Sequence, residues 1–208
     1  MTLPPTTPMS AVQALILAAG AGVRMGTPKA TLLVHGETLL ARQVRMLRAA
    51  GVLHITAVLS AHQATAEQTA GELGILTVCN PDPARGMGSS VRCGAESLLP
   101  HPAAPLLVLP VDCAFARSAD VQCLLAAMSL DLSPDTGIWR PSCDGRSGHP
   151  VLFGRALLKE LSAMNALGTL RTFIQDRAAN VRWVRVDNPL LHRDLDHPQD
   201  LADLPREI

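Results

Sequence analysis

Short apolar runs alternate with stretches of helical periodicity along most of this 208-residue chain. Brief aliphatic runs are typical of buried strands in parallel sheets, whereas apolar residues spaced three and four apart indicate amphipathic helices. The runs predict strands at 12–17, 54–59, 75–79, 105–109, 137–140, 149–153 and 181–186, and the periodic stretches predict helices at 37–50, 63–72, 89–99, 119–128 and 155–163. Further helices are expected to begin near residues 168 and 198. Repeated β-α-β units of this kind predict an α/β fold with a three-layer, doubly wound and mostly parallel sheet.

Composition supports a well-buried core. Hydrophobic residues make up 48% of the chain and charged residues 17%, a balance that excludes disorder. A chain of this length is long enough for one α/β unit, so we expect a single domain over residues 11–208. Residues 1–10 are rich in Pro and Thr and carry no positive charge, so we expect them to form a frayed tail.

Global charge excludes several classes of partner. Lys plus Arg and Asp plus Glu both number 18, so the overall field attracts neither nucleic acid nor an acidic membrane. Aromatic residues are 2% of the chain and Tyr is absent, which removes the platforms that stack single-stranded bases. No apolar segment is long enough to span a bilayer, and the five cysteines are spread singly, so we expect a soluble protein of the reduced cytoplasm.

A glycine-rich loop, Leu17–Lys29, directly follows the first predicted strand. Its three glycines allow tight turns that point several N–H groups at one anion, and Arg24 and Lys29 add two positive charges. This arrangement favours a bound polyphosphate. The glycine spacing matches neither a Walker A loop nor the dinucleotide-binding fingerprint. A glycine-rich turn with two solvated cations is the alternative.

The loop spells Leu-Ala-Ala-Gly-x-Gly-x-Arg-Met-Gly-x-Pro-Lys. This string resembles the signature loop of nucleotidyltransferases related to molybdenum cofactor cytidylyltransferase, which join an NTP to a phosphorylated acceptor. The resemblance implies a Rossmann-like nucleotidyltransferase fold. It also implies that the following residues bind the nucleotide: Leu17, Ala18, Ala19, Gly20, Ala21, Gly22, Arg24 and Lys29.

A second loop opens the helix predicted near residue 89. In the resembling family a Gly-Met-x-x-Ser helix start grips the base and ribose, and this pattern falls on Gly86, Met87 and Ser90. Ser89 and Ser90 are equally good candidates for helix caps, and a cap can also contact a ligand.

Two aspartates are candidate metal ligands. Asp112 follows an apolar strand, at the edge where open α/β sheets bind their ligands. The resemblance implies that Asp112 holds Mg²⁺, although Cys113 and Ala114 replace the family's Asp-x-Pro continuation. The segment Asp196–Leu201 is similar to the family's Asp-Thr-Pro-Glu-Asp-Leu ending, which makes Asp196 the second expected Mg²⁺ ligand. Both carboxylates could instead serve helix N-termini, with Ser118 better placed than Asp112 to cap the helix that follows.

The string Gly-His-Pro-Val-Leu-Phe begins at Gly148 and is a further family hallmark. It resembles the strand that lines the acceptor pocket, which implies that Gly148 and His149 contact the acceptor. A histidine beside a proline also suits ordinary packing. Arg171 could face a phosphate or be a solvated helix charge.

Taken as a family member, the chain is expected to transfer CMP from CTP to molybdopterin or the molybdenum cofactor and to release pyrophosphate, with Arg24, Lys29 and Asp112 as catalytic residues. The prediction of CTP depends on Ala19. The string Leu-Ala-Ala-Gly is similar to the loop of the cytidylyl enzymes, whereas Leu-Ala-Gly-Gly is similar to the loop of the guanylyl enzymes. A molybdoenzyme is the protein partner implied. Three alternatives stay open: transfer to a sugar or alcohol phosphate, a non-catalytic cofactor chaperone, and a dinucleotide oxidoreductase, which the glycine spacing disfavours.

Overall fold

A computed structural model describes residues 12–20, 22, 26–165 and 168–205. The predicted mostly parallel α/β architecture is confirmed. The strands are β1 (Gln13–Leu17), β2 (Leu33–Val34), β3 (Glu37–Thr38), β4 (His54–Ser60), β5 (Leu76–Asn80), β6 (Leu106–Pro110), β7 (Ile138–Cys143), β8 (Arg146–Ser147), β9 (Val151–Phe153) and β10 (Val181–Arg185).

Within the described residues one large sheet has the strand order β10-β7-β9-β6-β1-β4-β5, with β8 paired to β7, and β2 and β3 form a separate small hairpin. Strand β1 is central and lies parallel to both β4 and β6. Strand β9, for which the sequence pattern predicts no direction, runs antiparallel to both β6 and β7. Only a short connection separates β7 from β9, too little chain for the crossover that a parallel pair needs.

The chain reverses its direction of travel across the sheet next to β1. From β1 it moves outward through β4 and β5, and it then returns to place β6 on the other side of β1. Such a switch point leaves a crevice beyond the carboxyl ends of the two adjacent strands. The glycine-rich loop leaves β1 at this crevice, and Asp112 follows β6 at the same edge.

Helices cover both faces of the sheet. They are α1 (Leu39–Ala49), α2 (Ala64–Glu72), α3 (Met87–Leu98), α4 (Ser118–Leu130), α5 (Leu158–Ser162) and α6 (Leu170–Gln175). Short 3₁₀ turns cover Lys29–Thr31, Pro83–Arg85, Arg155–Leu157, Ala178–Asn180 and Pro198–Asp203.

Alternation along β1 explains the two cores. Ala14 and Ile16 pack into the core that holds α1, α2 and α4, whereas Leu15 and Leu17 pack into the core that holds α3, α5 and α6. Successive strand residues point to opposite faces, so a strand covered by helices on both sides is apolar throughout. No helix of the described residues is long and apolar enough to cross a membrane.

The helix starts differ from the predicted caps. Ser118 is the first residue of α4, and Arg117 occupies the cap position with its N–H donating to the Asp120 carboxylate at 2.9 Å. Gly86, with φ of +88°, takes the cap position of α3, so Ser89 and Ser90 lie inside that helix. A glycine suits this place because the backbone is in the left-handed half of conformational space.

Candidate active site

The glycine-rich loop is tied to the sheet on both sides. The Ala18 N–H donates to the Val58 carbonyl at 2.9 Å, and the Gln63 side chain, at the start of α2, donates to the Ala18 carbonyl at 3.0 Å. Gly22 has φ of +62°, and a Cβ there would overlap the Thr27 carbonyl oxygen. The loop is therefore too tight at Gly22 for any side chain. Ala21 and Arg24 lie outside the described residues.

Lys29 joins the two candidate metal ligands. Its Nζ donates to Asp112 Oδ2 at 2.9 Å and to Asp196 Oδ1 at 2.7 Å, across 83 and 167 positions of sequence. Burial alone lowers the pKa of Lys29, but the hydrogen bonds that it donates to Asp196 and Asp112 outweigh burial and the pKa is raised. The ammonium consequently stays charged at neutral pH and holds the two carboxylates around one point.

The loop after β6 is held without the proline that the family's motif carries. The buried side chain of Gln43, on α1, donates to the carbonyls of Val111 at 3.2 Å and Cys113 at 3.0 Å. The Asp112 carbonyl also accepts from the Leu195 N–H at 2.8 Å. These bonds fix the backbone on both sides of Asp112, so the carboxylate keeps its position although Cys113 and Ala114 follow it.

Cys113 is a buried thiol that lies beside the carboxylates of Asp112 and Asp194. Its Sγ donates to Asp194 Oδ1 at 3.5 Å. The Cys113 sulfur and one carboxylate oxygen each of Asp112 and Asp194 could act as metal ligands, and these atoms all lie within 4.8 Å of one another. Burial, reinforced by the charges of Asp112 and Asp194, raises the pKa of the thiol well above its ordinary value. Partial burial and the charge of Asp112 also raise the pKa of Asp194. A neutral thiol in this place is neither a nucleophile nor a good metal ligand.

The closing segment positions Asp196. Asp200 accepts hydrogen bonds from the backbone N–H groups of His197 at 2.8 Å and Asp196 at 3.1 Å, and these bonds lower its pKa. The 3₁₀ turn that carries Asp200 begins at Pro198, with His197 in the cap position. Asp196 therefore stands directly before the cap residue, and the bond from its N–H to Asp200 fixes its backbone.

The loop cavity is the hollow that these elements enclose, with a volume of about 360 Å³. It is lined by Leu17, Ala19, Gly20, Gly22, Lys29, Pro83, Gly86, Met87, Ser90, Pro110, Val111, Asp112 and Asp196. The structure thus brings most of the predicted nucleotide and metal residues to one place. Ala18 is the exception among those described, because it is buried beneath the loop.

Ser90 enters the loop cavity from α3 with its hydroxyl already oriented. The buried Asn80 side chain, at the end of β5, donates to Ser90 Oγ at 2.9 Å and to Ser89 Oγ at 2.8 Å. Since Asn80 supplies the donor, each hydroxyl proton is free of that bond and can go to another acceptor. Ser89 gives its proton to the Gly86 carbonyl at 2.8 Å.

The basic hollow is a second and larger recess of about 660 Å³ that shares Met87 with the loop cavity. Its walls come from β7, β9, α6 and the segment before Asp196, and they include both predicted acceptor residues. It is lined by Met87, Arg140, Ser147, Gly148, His149, Val151, Thr169, Leu170, Arg171, Ile174, Gln175, Leu191, His192 and Asp194.

His149 is electrically neutral in this setting. Burial, together with the charge of Arg140, lowers its pKa from 6.5 to about 4, against an opposing contribution from the Val108 backbone. Its Nδ1 is buried and lacks a hydrogen-bond partner among the described residues. Gly148, the neighbour, has no room for a side chain because a Cβ would overlap the Leu191 carbonyl oxygen. Close packing therefore accounts for Gly148, and the buried nitrogen of His149 is left for another partner.

Sequence reasoning missed several residues that build the site. Gln43 and Asn80 hold the two loops, Arg140 and Asp194 line the basic hollow, and none was singled out beforehand. The signal available was weak: Arg140 is a lone charge in an apolar strand, and Gln43 is a polar residue on the apolar face of α1. Buried polar residues of this type act through partners distant in sequence, which a local pattern does not reveal.

A family model described as the MobA-like NTP transferase domain matches residues 14–195. The chain belongs to this family. The predicted resemblance is confirmed, and the matched range runs from β1 to the residue before Asp196, so the MobA-like domain includes every strand of the sheet.

Two curated relatives match part of the MobA-like domain. A bifunctional IPC transferase and DIPP synthase of Rubrobacter xylanophilus is 43% identical over 101 residues, 45% of this chain and 23% of that protein. A probable molybdenum cofactor guanylyltransferase of Opitutus terrae is 35% identical over 103 residues, 50% of this chain and 48% of that protein. The match thus covers less than half the length of either relative.

Solved structures share the fold over the full length. The Rv0371c protein of Mycobacterium tuberculosis H37Rv superposes with a TM-score of 0.75 at 22% identity, covering 95% of this chain and 98% of that one. The same mycobacterial protein is also known as a manganese complex, with a TM-score of 0.68. At this level of identity the likeness establishes the MobA-like fold alone.

Proposed function

We propose that this protein transfers a nucleotidyl group from an NTP to a phosphorylated acceptor, with CTP as the donor and molybdopterin, or the molybdenum cofactor built on it, as the acceptor. The observation that carries the proposal is the position of Lys29, which holds Asp112 and Asp196 together in the wall of a cavity lined by the glycine-rich loop. Membership of the MobA-like family supports the same reaction class.

The loop cavity suits the donor. Tight glycine turns present backbone N–H groups to phosphate, and Lys29 supplies a cation for the triphosphate and the departing pyrophosphate. We assign the same task to Arg24. On the other side, Gly86 and the oriented hydroxyl of Ser90 lie where the base and ribose would rest.

The carboxylates fit a divalent cation. Asp112 and Asp196 offer hard oxygen ligands that Lys29 Nζ holds close together, and the neighbouring Cys113 thiol is neutral, which suits Mg²⁺ rather than a thiophilic metal. The manganese complex of the mycobacterial protein supports a divalent ion as cofactor. The ion would screen the negative charge of the α-phosphate and orient it for attack.

The chemistry needs positioning more than proton transfer. A phosphate oxygen of the acceptor attacks the α-phosphorus in line with the leaving pyrophosphate, and the attacking oxygen is already ionised at neutral pH. No strong general base is required. Lys29 and the loop N–H groups would stabilise the charge that accumulates on the leaving side. Gly148 and His149 lie in the adjoining basic hollow, where we place the acceptor.

Ala19 supports CTP, because Leu-Ala-Ala-Gly is the spelling of the resembling cytidylyl enzymes. The Opitutus relative, named a probable guanylyltransferase, favours GTP as a second candidate donor. The Rubrobacter relative, a bifunctional transferase, favours a different phosphorylated acceptor as a second candidate. Both alternatives keep the same loop cavity and the same two aspartates.

A two-part experiment tests the proposal. Thermal unfolding with Mg²⁺ and each of the four NTPs measures donor choice, because a ligand that binds the folded state raises the melting temperature by mass action. Pyrophosphate release is then measured with molybdopterin and with sugar and alcohol phosphates. We expect the largest shift with CTP and release only with the pterin. Selective stabilisation by GTP would overturn the choice of base, and CTP binding without pyrophosphate release from any acceptor would favour a non-catalytic cofactor chaperone.

A further inference from the structure

The basic hollow holds two arginines that face no carboxylate partner among the described residues. Arg140 and Arg171 both line it, and no ion pair joins either of them to an acidic side chain in the part of the chain that the structure describes. The other titratable groups of the walls are His149, His192 and Asp194. Asp194 is engaged with the Cys113 thiol instead.

Arg140 is held rigidly in the wall. It projects from β7, its Nη2 donates to Ser147 Oγ at 3.0 Å, and its guanidinium lies 5.1 Å from the centre of the Trp183 ring. Its Nε is buried and makes no hydrogen bond to the described residues. A guanidinium that lines a recess and is fixed in this way is pre-organised for a planar or tetrahedral oxyanion.

Arg171 brings a second positive charge close to the first. It lies on α6 with an exposed side chain, and its charge, after burial, is the remaining cause that lowers the pKa of Arg140. Two like charges held in one recess repel each other unless an anion lies between them. The charges of Arg140 and Arg171 in one recess therefore favour an anionic ligand.

The position of this pair separates it from the reacting phosphate. Lys29 and Asp112 line the loop cavity and not the basic hollow, while Met87 lines both recesses. An acceptor whose phosphate reaches Asp112 would pass Met87 and extend into the basic hollow. Its far end would then meet Arg140 and Arg171.

We propose that Arg140 and Arg171 form an oxyanion subsite that binds a second anionic group of the acceptor, remote from the phosphate that reacts. This assignment rests on the proposed function for the acceptor, and it narrows the acceptor to molecules that carry a second negatively charged group besides the reacting phosphate. It makes the pair a determinant of acceptor specificity rather than of chemistry.

Inorganic phosphate is the probe for the subsite. Its affinity is measured by calorimetry on the full chain with the loop cavity saturated by CTP and Mg²⁺, for the wild type, Arg171→Gln, Arg140→Gln and the control Arg185→Gln. Arg185 is an exposed arginine of β10 in a separate surface recess with Trp183. Losing one member of a charged pair should weaken phosphate binding by about fivefold or more in the first two variants, and leave the control within about twofold.

Two further readouts separate this inference from the proposed function. We expect all four proteins to bind CTP equally, and the KM for the acceptor to rise in Arg171→Gln and Arg140→Gln with kcat nearly unchanged. Arg171 is exposed, so its variant tests the subsite even if Arg140→Gln unfolds. If the wild type fails to bind any NTP, the proposed function fails, and phosphate is then titrated without nucleotide to test the pair alone. Phosphate affinity in Arg171→Gln equal to that of the wild type overturns the subsite.

Discussion

The loop cavity and the basic hollow lie side by side but are built in different ways. The loop cavity takes five of its lining residues from one continuous segment, Leu17–Lys29, whereas the basic hollow collects its residues from β7, β9, α6 and the chain before Asp196. The charges differ as well. Lys29 is neutralised by two carboxylates, while Arg140 and Arg171 have no described counter-ion. Residues that act together within one segment can be predicted from the sequence, whereas residues that the sheet brings together from distant segments cannot.

The largest expected effect comes from the charged centre of the loop cavity. Asp112→Asn keeps the size of the side chain but removes a charged partner of Lys29 and one of the two proposed metal ligands. We expect kcat/KM for pyrophosphate release to fall by about 100-fold or more, since the transition-state charge loses direct stabilisation. The matched control is Asp135→Asn, which breaks an exposed pair with Arg155 far from the site. Near-normal turnover in Asp112→Asn would contradict a catalytic role for this carboxylate.

In the basic hollow, His149 should make the free energy of unfolding depend on pH. Because the folded pKa of about 4 lies below the ordinary 6.5, the neutral ring stabilises the fold above pH 6.5, and this contribution is lost as pH falls from 6.5 towards 4. The full loss amounts to about 3 kcal/mol. Urea unfolding of the wild type and His149→Gln at pH 7 and pH 4.5 measures it. The variant should lose less stability on acidification, and equal losses would show that His149 is not the group responsible.

Glycine substitutions contrast the two recesses directly. Gly148→Ala forces a methyl group onto the Leu191 carbonyl, and we expect it to lower the free energy of unfolding by about 1–3 kcal/mol. Gly20→Ala meets nothing within 4 Å and has ordinary backbone angles, so its stability should be unchanged. The new methyl would instead occupy space in the loop cavity and weaken NTP binding. Chemical denaturation and NTP titration of both variants measure the contrast. A Gly148→Ala variant with unchanged stability and a normal KM for the acceptor would contradict the close packing inferred at Gly148.

The smallest effect is expected at Ser90. Removal of its hydroxyl in Ser90→Ala should raise the KM for the NTP roughly fivefold, equivalent to about 1 kcal/mol for one hydrogen bond. Ser97→Ala on the same helix is the control, because that hydroxyl donates to the Gly94 carbonyl at 2.7 Å and does not line the loop cavity. Steady-state kinetics with varied NTP distinguish the two. Equal KM values would leave Ser90 as a purely structural partner of Asn80.

Secondary structure was predicted well where one physical signal dominated. The apolar runs of β1 and β6 are buried on both faces, so their composition alone marks them as strands. The cap of α4 was predicted at the wrong residue, and the direction of β9 was not predicted. The Asp120 bond to the Arg117 N–H and the short antiparallel return both depend on neighbours that no local pattern contains.

The sequence by itself determined the position of the glycine-rich loop after β1 and predicted that it binds phosphate, because glycine conformation and adjacent cations act within a few residues. It also indicated that the apolar runs would build a parallel sheet. Only the tertiary structure decided that Asp112 and Asp196 meet at Lys29 and that Arg140 and Arg171 share a recess. It also decided that Gln43 holds the loop after β6 by hydrogen bonds in the absence of the family's proline. The physical reason is sheet topology: the switch point beside β1 gathers distant segments at one edge, and side-chain charge acts through space rather than along the chain.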